Sequence, residues 1–285
     1  MDLVADNLTA GYPGHTAVRD VSLGVREGEV TVVVGPNGCG KSTLLRCMAR
    51  LHRPAGGCVR VGGADVWRLR PRAVARRVSL LPQVPEAPEG ITAAGLVRFG
   101  RHPHQGLLRQ WSSRDEAAVT RAMADAGITD LADRRLDRLS GGQRQRCWLA
   151  LALAQDTPVM LLDEPISMLD LGHQVEVLGV IRHLAAGGRA VVMVLHDLTT
   201  AARYADTLVA MRDGRIVDHG PPRATVTPAL IRTLYGVDAD ILAAPGDGAP
   251  VVVPRHERAG RGGDAEESSA DAGVAACTSE KGTPP

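Results

Sequence analysis

Gly35-Pro36-Asn37-Gly38-Cys39-Gly40-Lys41-Ser42 has the spacing G-x-x-x-x-G-K-[ST], which wraps backbone around phosphate oxygens. Glycines at 35, 38 and 40 permit tight turning, so successive N–H groups face an anion. A helix predicted from Lys41 adds the positive end of its dipole. Lys41 supplies a mobile charge for the β- and γ-phosphates, Ser42 supplies a hydroxyl for Mg²⁺, and Thr43 follows in the same turn. Residues 159–164 read VMLLDE, an apolar strand ending in two carboxylates. There Asp163 is placed to hold the Mg²⁺ shell, and Glu164 to orient an attacking water or take its proton. Loop and carboxylates together predict nucleoside triphosphate hydrolysis.

Three weaker signals stand around these two. Residues 80–83 (LLPQ) end a strand on Gln83, and residues 191–197 (VVMVLHD) put His196 at the end of another. Tyr12, one of few aromatic residues, precedes the strand that enters the phosphate loop. Leu139-Ser140-Gly141-Gly142-Gln143 has a different logic: Ser140 can cap a helix, and the glycines allow close backbone approach to an anion.

These residues need strands and helices to carry them. Residues 1–34 alternate apolar and polar positions, the period of antiparallel strands, before an apolar run into Gly35. A helix is predicted over 41–51, then short strands at 58–61 and 78–81. Residues 92–137 read as polar-amphipathic and mostly helical, an inserted helical subdomain. A helix over 140–154 follows, then strand 159–162, helix 171–186, strand 190–195, helix 197–204 and strand 207–211. That alternation is a parallel α/β core. A short strand at 214–220, a helix at 227–234 and a strand at 249–253 close the domain. From residue 255 the chain turns to Gly, Ala, Ser, Asp and Glu, too few large apolar groups to offset ordering entropy, and 255–285 is expected to be a disordered tail.

Composition narrows the class. The 285 residues carry 33 basic and 32 acidic side chains, against a nucleic-acid binder with its basic stripe. The longest apolar runs fall short of a bilayer span. The start shows no secretory leader, so a cytoplasmic location is expected, with any membrane contact made through a partner. The five cysteines include no C-x-x-C pair, and free thiols are expected. Cys39, close to Lys41, is expected to form a stabilised thiolate that alkylating agents attack. His102 and His104 lack a third ligand for a metal site. Arg134, Arg135 and Arg138 read as a solvated face or a partner contact.

The order phosphate loop, LSGGQ, LLDE resembles the ATP-binding cassette (ABC) ATPases over residues 1–254. Segments 35–51, 76–83, 89–92, 100–105, 139–165, 169–178 and 194–206 are similar to the import ATPases for ferric siderophores, of the ferric-enterobactin and ferric-citrate type. The resemblance implies a P-loop cassette with a mixed RecA-like core, an antiparallel β subdomain and a helical subdomain at about 87–155. It implies ATP and Mg²⁺, adenine stacked on Tyr12, Mg²⁺ and water touched by Gln83, and the γ-phosphate contacted by His196. It further implies a head-to-tail homodimer in which LSGGQ closes over ATP held by the other subunit, with Asp170 in the turn across that interface. Met168 departs from the small residue usual in that turn. The implied partners are integral membrane permeases at the cytoplasmic face and, indirectly, an extracytoplasmic substrate-binding protein. Cobalamin and haem importers are built alike. A non-transport ABC ATPase would carry coiled coils, zinc motifs or a second cassette. An exporter motor is commonly fused to membrane segments. A regulatory subunit without turnover would not need Glu164 and His196.

Overall fold

In a computed structural model that describes residues 2–83, 85–106 and 111–255, β1 (Leu3–Tyr12) and β2 (His15–Val25) bury alternate side chains. They pair antiparallel, Leu3 opposite Val25 and Tyr12 opposite His15. Leu3, Ala5, Leu8, Val18, Val21 and Val25 are buried together; the two-residue period holds within each stretch and is broken where the pairing shifts register at Asn7 and Asp20, both at positive φ. After β3 (Val30–Val34) and α1 (Lys41–Met48), β4 (Gly56–Val61) and β5 (Ala64–Asp65) complete a four-stranded sheet in the order β2-β1-β4-β5. The short α2 (Pro71–Ala75), opened by its proline, leads to β6 (Val78–Leu81).

The central sheet adds β7 (Val159–Asp163), β8 (Ala190–Val194), β9 (Thr207–Arg212) and β10 (Arg215–Gly220), in the order β10-β9-β3-β8-β7-β6. Five strands are parallel, and β10 returns antiparallel along β9. Every residue of β3, β7 and β8 is buried, which is why these strands read as unbroken apolar runs rather than alternations. Val33 and Asp163 both lie opposite Val194. The carboxyl ends of β3, β7 and β8 thus stand side by side, where open α/β sheets place their ligands.

The segment 92–137 is less helical than its composition predicts. Its described residues hold α3 (Ala93–Phe99) and α4 (Ser113–Asp125), with single 3₁₀ turns at His102–His104, Thr129–Leu131 and Leu136–Arg138. Gly100 and Pro103 stop α3, since proline lacks the N–H that a continuing helix needs. Gly127, at φ 62°, turns the chain after α4. Ser112 and Asp115 form a reciprocal cap on α4. Then comes α5 (Gly141–Ala154). Arg101 and Asp115, both almost wholly buried, pair at 3.0 Å, and the guanidinium also donates to the Ala154 carbonyl at 2.7 Å. This ties the ends of three helices together. The histidines in this region are spent on packing: His104 Nε2 lies 2.7 Å from the Gln155 carbonyl, and His102 sits edge-on to Phe99. Arg135 pairs with Asp137 at the surface.

The chain continues through α6 (Leu171–Ala186), α7 (Leu198–Tyr204), α8 (Pro222–Thr225) and α9 (Pro228–Tyr235). Its described part closes on a hairpin of β11 (Ala239–Ala243) and β12 (Pro250–Pro254), which docks on α7 through a bond from the Val252 N–H to the Thr199 hydroxyl. β11 is absent from the sequence reading, because Ala-Asp-Ile-Leu-Ala is too short and mixed to show a period. Arg255 is ordered, bonded to Asp238 and paired with Asp240. The tail expected beyond it, and Cys277 with it, lie outside the described residues.

Candidate active site

The phosphate-loop sequence connects the end of β3 to α1. Two glycines are required by space. A Cβ on Gly35 (φ 147°) would stand 2.1 Å from the Met211 carbonyl oxygen, and one on Gly40 (φ 103°) 2.2 Å from that of Ala17. Gly40 caps α1 without any side-chain acceptor, and no acidic residue occupies the first turn. The leading N–H groups of the helix are therefore left to an anion. Lys41 is buried, its Nζ donating to the Gly35 and Pro36 carbonyls at 2.8 and 2.9 Å. Asn37, Gly38, Ser42 and Thr43 line a cleft of about 340 Å³ beside it, with Tyr12, Gln83, Glu164 and His196 across from them.

Asp163 ends β7 at 2% exposure. Burial pushes its carboxyl above the usual range. The Ser42 hydroxyl pulls it down, Glu164 pushes it up, and Arg46 and Lys41 pull too weakly to reverse the result. Its Oδ1 has no hydrogen-bond partner among the described residues. An orphaned buried carboxylate oxygen beside a hydroxyl, with the Gln83 carboxamide on the same cleft, is a hard oxygen donor set that fits Mg²⁺.

Glu164 follows in left-handed backbone, φ 55°, a conformation that costs a non-glycine residue about 1–2 kcal/mol. Its Oε1 accepts from Gln83 Nε2 and from His196 Nε2, each at 2.6 Å. Residues 81 and 32 positions away in sequence thus converge on one oxygen, and among the described residues nothing bonds Oε2, which leaves it open to a ligand.

Tyr12 is 44% exposed at the rim of the cleft, which argues against a core-packing role. Its hydroxyl accepts from Arg46 at 3.1 Å, and its ring lies 4.8 Å from that of His52. Arg46, His52 and the buried Gln145, which donates to the Glu164 carbonyl at 3.2 Å, carried no recognisable signal in the sequence.

LSGGQ opens a different cleft. Leu139 is buried, and Ser140 and Gln143 cap α5 reciprocally. Gly141 and Gly142 lie against Met168, where a Cβ on Gly142 would approach the Met168 carbonyl to 3.2 Å. Asp170 and His173 share this second cleft. Asp170 caps α6, and bonds from the His173 backbone and ring hold its carboxyl below the usual range. Within one chain, then, LSGGQ and the phosphate loop line separate clefts.

Cys39 departs from expectation. It is buried, its Sγ 3.8 Å from Lys41 Nζ, and burial pushes the thiol up by more than Lys41 pulls it down. It is a thiol, not a thiolate, so it should alkylate slowly. Mass spectrometry after brief maleimide treatment of native protein should find the half-buried Cys58 labelled before the buried Cys39; Cys39 labelled ahead of Cys58 would restore the thiolate reading.

The model of the ABC transporter family matches residues 18–167, more than half of the chain. The chain belongs to the ABC transporter family. The resemblance seen in its motifs therefore holds, and the fold just described is that of an ABC cassette. Two relatives of this cassette are the achromobactin transport ATP-binding protein of Dickeya dadantii and the ferric enterobactin transport ATP-binding protein of Escherichia coli. Each is 46% identical to it over 253 residues, which is 88% of this chain and 94% and 93% of theirs. A bacterial ABC transporter cassette solved as a dimer matches with a TM-score of 0.70 at 26% identity, over 77% of this chain and 98% of that one. The cassette is thus an ATP-binding, ATP-hydrolysing subunit.

Proposed function

We propose that this cassette drives import of an iron(III)–siderophore complex, working as a head-to-tail dimer beneath a pair of membrane permeases. The observation that carries the hydrolytic part is the convergence of Gln83 and His196 on Glu164 Oε1, directly across from the phosphate loop. Lys41 exchanges its loop carbonyls for β- and γ-phosphate oxygens, joined by the open N–H groups of α1. Tyr12 stacks on the adenine. Ser42, Asp163 and Gln83 would hold Mg²⁺, which supplies positive charge against the phosphate oxygens. Glu164, aimed through Oε1, accepts a proton at Oε2 from the water that attacks the γ-phosphorus as the bond to ADP breaks. His196 keeps the carboxylate in place and faces the γ-phosphate.

The dimer follows from a mismatch of parts. Ser140, Gly141 and Gly142 make an anion-approachable helix start, yet they line a cleft without the phosphate loop. A second cassette turned head to tail brings each LSGGQ over the other's ATP. Beside it, Met168, Leu171 and Val175 stand 68%, 75% and 53% exposed, an apolar stripe suited to a partner's surface. Asp170 sits at the same edge. Ser140→Arg should bind ATP normally but fail to dimerise; size exclusion with ATP and a slow-turnover background reads this, and a normal dimer peak would remove LSGGQ from the interface.

No described helix is long and apolar enough to cross a membrane. Attachment at the cytoplasmic face therefore goes through the permeases, and a substrate-binding protein outside delivers the chelate. The iron assignment follows the relatives' transport names. Its test is uptake of ferric siderophore by cells lacking the cassette, complemented with wild type or Glu164→Gln. Uptake restored by wild type alone supports the proposal, and undiminished uptake in the deletion strain overturns the substrate.

A further inference from the structure

Helix α5 and Glu164 are joined inside one chain through Gln145. Gln145 lies five residues beyond Ser140 on α5, is buried, and donates from Nε2 to the Glu164 carbonyl at 3.2 Å. The same carbonyl accepts the Ser167 N–H at 3.3 Å. On the far side of the turn, Gln174 of α6 donates to the Leu169 carbonyl at 3.0 Å. Residues 164–170 are thus strapped between two helices by two glutamine side chains. Non-glycine backbone in the left-handed region persists where its surroundings over-determine it. At Glu164 the surroundings are these bonds, and turning that peptide swings the carboxylate away from Gln83 and His196.

We propose that Gln145 is a positioning residue for hydrolysis, tying the helix that begins at Ser140 to the Glu164 peptide so that the carboxylate is aimed only while α5 is in place. The inference rests on Glu164 as the proton acceptor and deepens that reading. Because Ser167 also bonds the carbonyl, loss of the Gln145 amide leaves the group partnered, and the effect falls on aim more than on folding.

The test uses Gln145→Met and Gln145→Leu in the full chain, both similar in volume and both lacking the donor. Expected is a fall in kcat of roughly 10- to 100-fold, as for a misplaced catalytic group, with KM for MgATP within about twofold and the thermal midpoint little changed. In a Glu164→Gln background, Gln145→Met should leave the residual rate unaltered, because the group it aims is gone. A kcat close to wild type, an equal further loss in the Glu164→Gln background, or unfolding of both variants would each overturn the proposal. The reading of Glu164 itself fails on a separate result, normal turnover of the Glu164→Gln single variant.

Discussion

Glu164→Gln should bind ATP as tightly as wild type, accumulate as an ATP-loaded dimer, and hydrolyse slower by about 10²- to 10⁴-fold, the usual share of general-base catalysis. Its carboxylate touches no loop residue that grips phosphate, so binding has no reason to fall. Its Oε1 already accepts from Gln83 and His196. A glutamine carbonyl oxygen can keep that arrangement, while the amide nitrogen replaces Oε2 and cannot take a proton. Geometry is kept and chemistry is lost. Phosphate release in single-turnover mode, with filter binding of labelled ATP, separates the two. Turnover near wild type would move the proton acceptor elsewhere, with His196 the next group in reach.

Arg101→Ala should lower stability by about 3–5 kcal/mol, the cost of leaving one member of a buried ion pair alone. The guanidinium holds both Asp115 and the Ala154 carbonyl, so one substitution strands a charge and a backbone acceptor and leaves a void at the meeting of α3, α4 and α5. The pH dependence carries a sign. Burial pushes the Asp115 carboxyl up, but Ser112 and Arg101 outweigh it and hold it below the usual range. A lowered native value means stability that is present above the ordinary carboxylate pKa, about 4, and lost as pH falls through the native value. Urea unfolding across that acid range should show wild type losing its advantage over Arg101→Ala. A constant difference down to the lowest pH would remove the ion pair as its source.

The phosphate loop and the Asp163–Glu164 pair were legible because short contiguous segments build them, and their backbone geometry follows from Gly, Lys and strand-ending carboxylates. Gln83 and His196 were legible in order along the chain. Their meeting on one Glu164 oxygen was not, since it depends on strand register. Gln145 and Arg46 gave no sign, because their contacts close over 19 and 34 residues. Cys39 was misread for the converse reason: Lys41 is visible two residues away, whereas the burial that dominates is set by distant strands. The central strands read well as unbroken apolar runs because they are buried on both faces; β11 and the 3₁₀ turns of 126–138 did not, being too short to show a period.

The φ of 55° at Glu164 has a consequence for anyone redesigning this cassette for heat tolerance. Turn-forming glycine or asparagine is what a stability search favours at left-handed positions, where it relieves about 1–2 kcal/mol of backbone cost, less the entropy that a glycine adds to the unfolded chain. The same exchange deletes the carboxylate. A thermostable variant selected on melting temperature alone would therefore tend to lose the group proposed as proton acceptor, and any such campaign must score turnover alongside it.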